Sequence, residues 1–106
     1  MTENNEFDDW FVSGELVEVE MLGKKLKIRE LTGDEYMDIV FEARKVGGGE
    51  FDPKTYANKL ISKAVVEPKI ISKNPQKLRG IKALLVQKIE EICGLSEEEL
   101  KKYVKP

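Results

Sequence analysis

The stretch Glu15-Leu16-Val17-Glu18-Val19-Glu20-Met21-Leu22-Gly23-Lys24-Lys25-Leu26-Lys27-Ile28-Arg29-Glu30-Leu31 decides the fold class. Val17, Val19 and Met21 before Gly23, and Leu26 and Ile28 after it, recur at every second position, the period of a half-buried strand. Gly23 supplies the positive φ that a two-residue turn needs, so the stretch predicts a β-hairpin. The turn falls at Leu22-Gly23 or at Gly23-Lys24, and either choice leaves the same five apolar residues on one face. The opposite face sets Glu18 and Glu20 against Lys25, Lys27 and Arg29, which reads as cross-strand charge pairing and not as a catalytic carboxylate pair.

A two-stranded hairpin is marginal alone, so helices must cover it or its sheet must extend into another copy. Four helix starts follow. Thr32 with Glu35 forms a capping box, with Leu31 and Tyr36 as its hydrophobic staple. Asp52 before Pro53 is an N-cap followed by proline at the first helical position, and Phe51 with Tyr56 repeats the staple. Asn74 before Pro75 has the same form. Ser96 with Glu99 is a second capping box, stapled by Leu95 and Leu100, after the expected left-handed stop at Gly94. These signals predict helices over 33–46, 53–66, 75–93 and 96–103. Their apolar stripes are Tyr36, Ile39, Val40 and Ala43; then Tyr56, Leu60, Ile61, Ala64 and Val65; then Leu78, Ile81, Leu85, Ile89 and Ile92. Ala83, Leu84, Val86 and Cys93 widen the third stripe, so that helix is expected to be the most enclosed element or to lie at a subunit contact. Val65-Val66-Glu67-Pro68-Lys69-Ile70-Ile71 ends a helix at the residue before proline and leaves Ile70 and Ile71 in an extended linker pinned to the core or to a neighbour. The expected class is α+β and mostly helical: an N-terminal hairpin followed by about four α-helices.

The chain has 106 residues, which predicts one domain, taken here as residues 15–106 behind a tail of residues 1–14. Charged residues are 36% and hydrophobic residues 41% of the chain, too apolar for disorder. There is no histidine, hence no imidazole base for a Ser or Cys nucleophile and no His metal ligand. The single cysteine, Cys93, allows neither an internal disulfide nor a Cys cluster and reads as a core thiol in an intracellular protein. Ser13, Ser62, Ser72 and Ser96 have no base beside them in sequence, and Gly47-Gly48-Gly49 lacks the Gly-Lys-Ser/Thr step of a phosphate-binding loop. The expectation is a non-enzymatic, soluble, cytoplasmic protein with no catalytic residue, cofactor or metal.

Charge is distributed unevenly. Residues 1–14 carry four acids and no base, with Phe7, Trp10 and Phe11 at a spacing that shares one helical face. Such a segment either frays with its rings tucked on the domain or folds into a partner's groove. Residues 54–88 carry nine bases and one acid, Glu67. That block is either a set of solvated helix faces or an electropositive surface for an acidic protein patch or nucleic acid. Nucleic acid fits less well, because Tyr56 is the block's one aromatic and base stacking has little to use. The candidate partner-binding residues are Phe7, Trp10, Phe11, Lys59, Lys63, Arg79 and Lys82.

The order of these features carries a resemblance. Lys27-Ile28-Arg29-Glu30-Leu31-Thr32-Gly33-Asp34-Glu35, the second helix closing at Val65-Val66-Glu67-Pro68, and a last long helix closing at Gly94-Leu95 resemble the tail assembly chaperones of long-tailed bacteriophages and related prophages. The likeness covers about residues 22–95, with a shorter linker between Pro68 and Pro75 than in longer family members. It implies a small non-enzymatic protein of the host cytoplasm that binds the tape measure protein, helps recruit tail tube subunits, and is absent from the finished virion; on that reading the chain is also expected to self-associate. It implies no catalytic residue. The competing expectation is a small nucleic-acid-associated or regulatory protein that uses the basic segment 54–88.

Overall fold

Leu22 and Gly23 make the turn in the computed structural model, which describes residues 6–94. Both have positive φ, 51° and 77°, the pattern of a type I′ turn whose twist matches that of the flanking strands. It joins β1 (Leu16–Met21) to β2 (Lys24–Arg29) in an antiparallel pair with Met21 opposite Lys24 and Val19 opposite Leu26. The expected charge alternation is present in the register, with Glu18 opposite Lys27 and Glu20 opposite Lys25. Val19, Leu26 and Ile28 are buried and Met21 is half-buried. Val17 faces the same way but is exposed, because it lies toward the open end of the edge strand.

Helix α1 (Gly33–Val46) has the expected bounds and the complete capping box. Thr32 Oγ1 accepts from the Glu35 amide at 3.2 Å, and Glu35 Oε1 accepts from the Thr32 amide at 2.9 Å. Glu35 also receives both Nη atoms of Arg29, at 3.1 and 2.6 Å, while Arg29 Nε donates to the Lys63 carbonyl at 3.1 Å. One guanidinium thus joins the end of β2, the start of α1 and the end of the second helix. Helix α2 (Pro53–Ala64) begins as expected, with Asp52 accepting from the Thr55 amide.

From Ala64 onward the path departs from the sequence reading. The helix expected to reach residue 66 stops, and Val65–Glu67 becomes β3, antiparallel to β2, with a register irregularity between Lys27 and Ile28. The sheet is therefore β1-β2-β3. Ile70 and Ile71 are not in an extended linker: they sit in α3 (Lys69–Lys73), with Ile71 packed on the core and Ile70 exposed. The long helix expected over 75–93 is divided. Pro75–Lys77 is a single 3-10 turn, Leu78 is extended, and α4 starts at Ile81 and runs to Ile92. Asn74 does not cap; its Nδ2 donates backwards to the Ile70 carbonyl at 3.0 Å, closing α3 instead of opening a helix. Gly94 has φ 69°, consistent with the expected stop. The Ser96 cap, its staple and the helix expected over 96–103 lie outside the described residues.

The class is α+β and mostly helical, as expected, with the hairpin enlarged to three strands. The core joins Val19, Leu26 and Ile28 of the sheet to Ile39 and Ala43 of α1, Tyr56, Leu60, Ile61 and Ala64 of α2, and Leu85 and Ile89 of α4. Val40 packs against it half-buried. Helix α4 is less enclosed than its composition suggests, since Ala83 and Leu84 face outward. The Leu31 amide, just before α1, donates to Cys93 Sγ at 3.4 Å and ties the end of α4 to the start of α1. Burial pushes the Cys93 thiol up and keeps it protonated.

Replacing Leu85 with Ala should cost about 2 to 5 kcal/mol in denaturant unfolding, whereas a loss below about 1 kcal/mol would place α4 outside the core. Hydrogen bonding from Arg29 holds the Glu35 carboxyl down at about 2. Its contribution is complete above the usual carboxylate pKa of about 4.3 and is lost as pH falls through about 2. The melting temperature of Glu35→Gln should therefore lie below that of the parent at pH 5 to 7 and converge with it toward about pH 2; a difference independent of pH would contradict the pairing.

Candidate functional site

The break between Asn74 and Ile81 opens the surface around it. Leu78 is half-buried and extended between the 3-10 turn and α4, and three hollows meet at its side chain. One, about 260 Å³, lies between the hairpin tip and α4 and is walled by Met21, Leu22, Pro68, Ile81 and Leu85. A second, about 380 Å³, runs along Ile70, Ile71 and Asn74. The third, about 630 Å³, lies between the starts of α2 and α4, against Pro53, Ala57, Ala83 and Val86. The three share Leu78 and are walled largely by apolar side chains, and they are referred to together as the trough.

Its charged residues are all of one sign. Lys24 and Lys25 stand beside the hairpin tip, Lys77 beside α3, and Lys54, Arg79 and Lys82 beside the third hollow, while no carboxylate among the described residues lines any of the three. A one-sign rim over apolar walls concentrates counter-charged ligands and rewards burial of their apolar side chains. The walls offer few converging polar groups of the kind that orient a small polar substrate, so the chemistry favours an extended or helical peptide.

Two details show how the walls are held. Tyr56 lies between Tyr36 and Phe51, with ring centroids 6.1 and 5.2 Å away, and its hydroxyl donates to Glu90 Oε2 at 2.6 Å, linking α2 to α4. Burial, reinforced by the Glu90 carboxylate, pushes the Tyr56 phenol far above its ordinary pKa. Lys82 Nζ donates to Asn58 Oδ1, making the same connection closer to solvent.

Of the residues singled out from sequence, Arg79 and Lys82 belong to the trough. Lys59 and Lys63 do not: both are exposed on α2 outside it, and Lys63 takes part in the fold through its carbonyl. Phe7, Trp10 and Phe11 do not share a helical face. Only Asp8–Trp10 forms one 3-10 turn, Phe7 meets Trp10 edge-on at 4.9 Å, and Phe11 is extended. Trp10 and Phe11 are not tucked on the domain, being 71% and 75% exposed.

Sequence reasoning missed Leu22, Lys24, Lys25, Lys54, Lys77 and Leu78 as one surface. A signal existed at Leu22. A type I′ turn prefers Asn, Asp or Gly there, and leucine accepts left-handed backbone with its side chain 81% exposed. Its exposure leaves Leu22 on the wall of the hollow beside the hairpin tip and outside the core.

Among the described residues no group of His, Cys, Asp and Glu is placed to hold a metal ion, and no helix is long and apolar enough to cross a membrane. No protein-family model, curated protein or solved structure matches the chain.

Removal of the Tyr56 hydroxyl in Tyr56→Phe should cost about 0.5 to 1.5 kcal/mol or somewhat more, because its partner is charged. In an absorbance titration, one phenol of the parent should ionise only as the protein unfolds in alkali. That late phase should be missing from the variant; its persistence would assign it to another tyrosine.

Proposed function

We propose that this chain is a non-enzymatic, protein-binding assembly factor of the phage tail assembly chaperone type. It binds the tape measure protein and helps recruit tail tube subunits in the host cytoplasm, then leaves before the virion is complete. The observation that carries the reading is the aliphatic trough around Leu78 with its rim of six cations, a surface suited to the apolar face of a long helix with acidic flanks. The Thr32–Glu35 capping box and the Gly94 stop support it from the sequence side, although the second helix closes at Ala64 and Val65–Glu67 is a strand.

Hydrophobic seating and phosphate binding respond differently to salt. A purified tape measure fragment, titrated calorimetrically into the full chain, should bind with a negative heat-capacity change and lose less than about tenfold in affinity between 50 and 200 mM salt. A loss of about 10³-fold or more, together with comparable binding of a random DNA duplex, would replace this reading with a nucleic-acid-associated protein using segment 54–88. No binding to any tape measure fragment would remove the chaperone reading.

A further inference from the structure

Helix α1 carries an apolar face that the described residues leave uncovered. Met37 and Phe41, one turn apart, are 68% and 69% exposed, and burying one aromatic ring removes about 150 to 250 Å² from water. Asp34 and Asp38 are their neighbours three positions earlier, and neither forms an ion pair among the described residues. Such a face suits an apolar segment with positive flanks, the opposite sign to the one the trough suits.

The chain enters and leaves the domain beside the start of this helix. Leu16 stands opposite Arg29, whose guanidinium holds Glu35, and Cys93 Sγ accepts from the Leu31 amide. Charge chooses between the two flanking segments. Residues 1–14 hold four acids and no base and would bring like charge to Asp34 and Asp38. Beyond Gly94 the sequence runs Leu95-Ser96-Glu97-Glu98-Glu99-Leu100-Lys101-Lys102-Tyr103-Val104-Lys105, in which the apolar pair Tyr103-Val104 stands between three lysines. Reach is sufficient. Phe41 lies eight residues beyond Gly33, about 12 Å along α1, and the nine residues from Gly94 to Tyr103 span about 14 Å even if wholly helical. A segment tethered this closely meets the face at an effective concentration on the order of millimolar, ahead of any free molecule. We infer that Leu100, Tyr103 and Val104 of the same molecule lie across Met37 and Phe41, with the three lysines supplying the charge opposite to Asp34 and Asp38. On this path Glu97–Glu99 pass the amino end of α1, where the helix dipole favours negative charge. The face of α1 is then closed by its own chain and the trough stays open to a partner, whatever that partner is.

Nuclear Overhauser contacts in the full chain read this directly. The methyl groups of Leu100 and Val104 should show contacts to the Phe41 ring that keep their intensity on dilution. The same contacts should be absent from isotope-filtered spectra of mixed labelled and unlabelled protein, which report only pairs between copies. Tryptic cleavage gives a second reading. Phe41→Ser, at an exposed position, should raise cleavage at Lys101 and Lys102 about tenfold relative to cleavage at Lys59 on α2, because the segment then spends more time undocked. No contact to the Phe41 ring, contacts found only between copies, contacts from Phe7, Trp10 or Phe11 in their place, or a cleavage ratio that Phe41→Ser leaves unchanged would each overturn the inference.

Discussion

β2 needs cover on its inner face and hydrogen-bonding partners along both edges, and that requirement organises the rest of the molecule. β1 supplies one edge through a two-residue turn, and β3 supplies the other only because α2 stops at Ala64 and its next three residues lie down beside Lys27 and Ile28. Ile28, with no exposed surface, is covered by the helices that this arrangement brings together. Arg29 closes the end of the strand by joining Glu35 at the start of α1 to the Lys63 carbonyl near the end of α2. β3 adds a backbone tie between the end of α2 and the hairpin to the contact that Arg29 makes with Lys63.

Most of that frame was legible because it is written in local chemistry. The alternation around Gly23, the Thr32–Glu35 box and the Asp52-Pro53 start each depend on residues within a turn or two of one another, and each element appears where its signal stands. The failures share a cause. Val65–Glu67 reads as the end of a helix, and only pairing with Lys27 and Ile28, nearly forty residues earlier, makes it a strand. Asn74-Pro75 has the sequence of a helix start, but the Asn74 amide group is taken by the Ile70 carbonyl, and Leu78 leaves the helical region before Gly80 admits α4. Tertiary competition decided both places, and a single sequence does not display it.

The trough was only partly legible for the same reason. The basic block 54–88 pointed to Arg79 and Lys82, but it also pointed to Lys59 and Lys63, which α2 carries away from the hollow. Lys24 and Lys25 lie outside the block and join the rim because the hairpin tip folds against Pro68 and Ile81. Net charge per segment finds a surface only when the segment stays on one face. The aromatic tail was visible as a composition, whereas the exposure of Trp10 and Phe11 required the structure.

Exposed apolar residues also occur at Met37 and Phe41, one turn apart on α1, and at Val17 on the open edge of β1. The trough differs from both in joining apolar walls to a rim of one charge, and the central claim is that it, and not either of those faces, is where this protein meets other chains. Backbone amide NMR of the isotopically labelled full chain, titrated with a tape measure fragment, tests this most directly. Shifts centred on the amides of Lys25, Leu78, Arg79 and Lys82 are the expected result. Shifts centred on Met37 and Phe41 or on β1, or spectra that the fragment does not change, would contradict it.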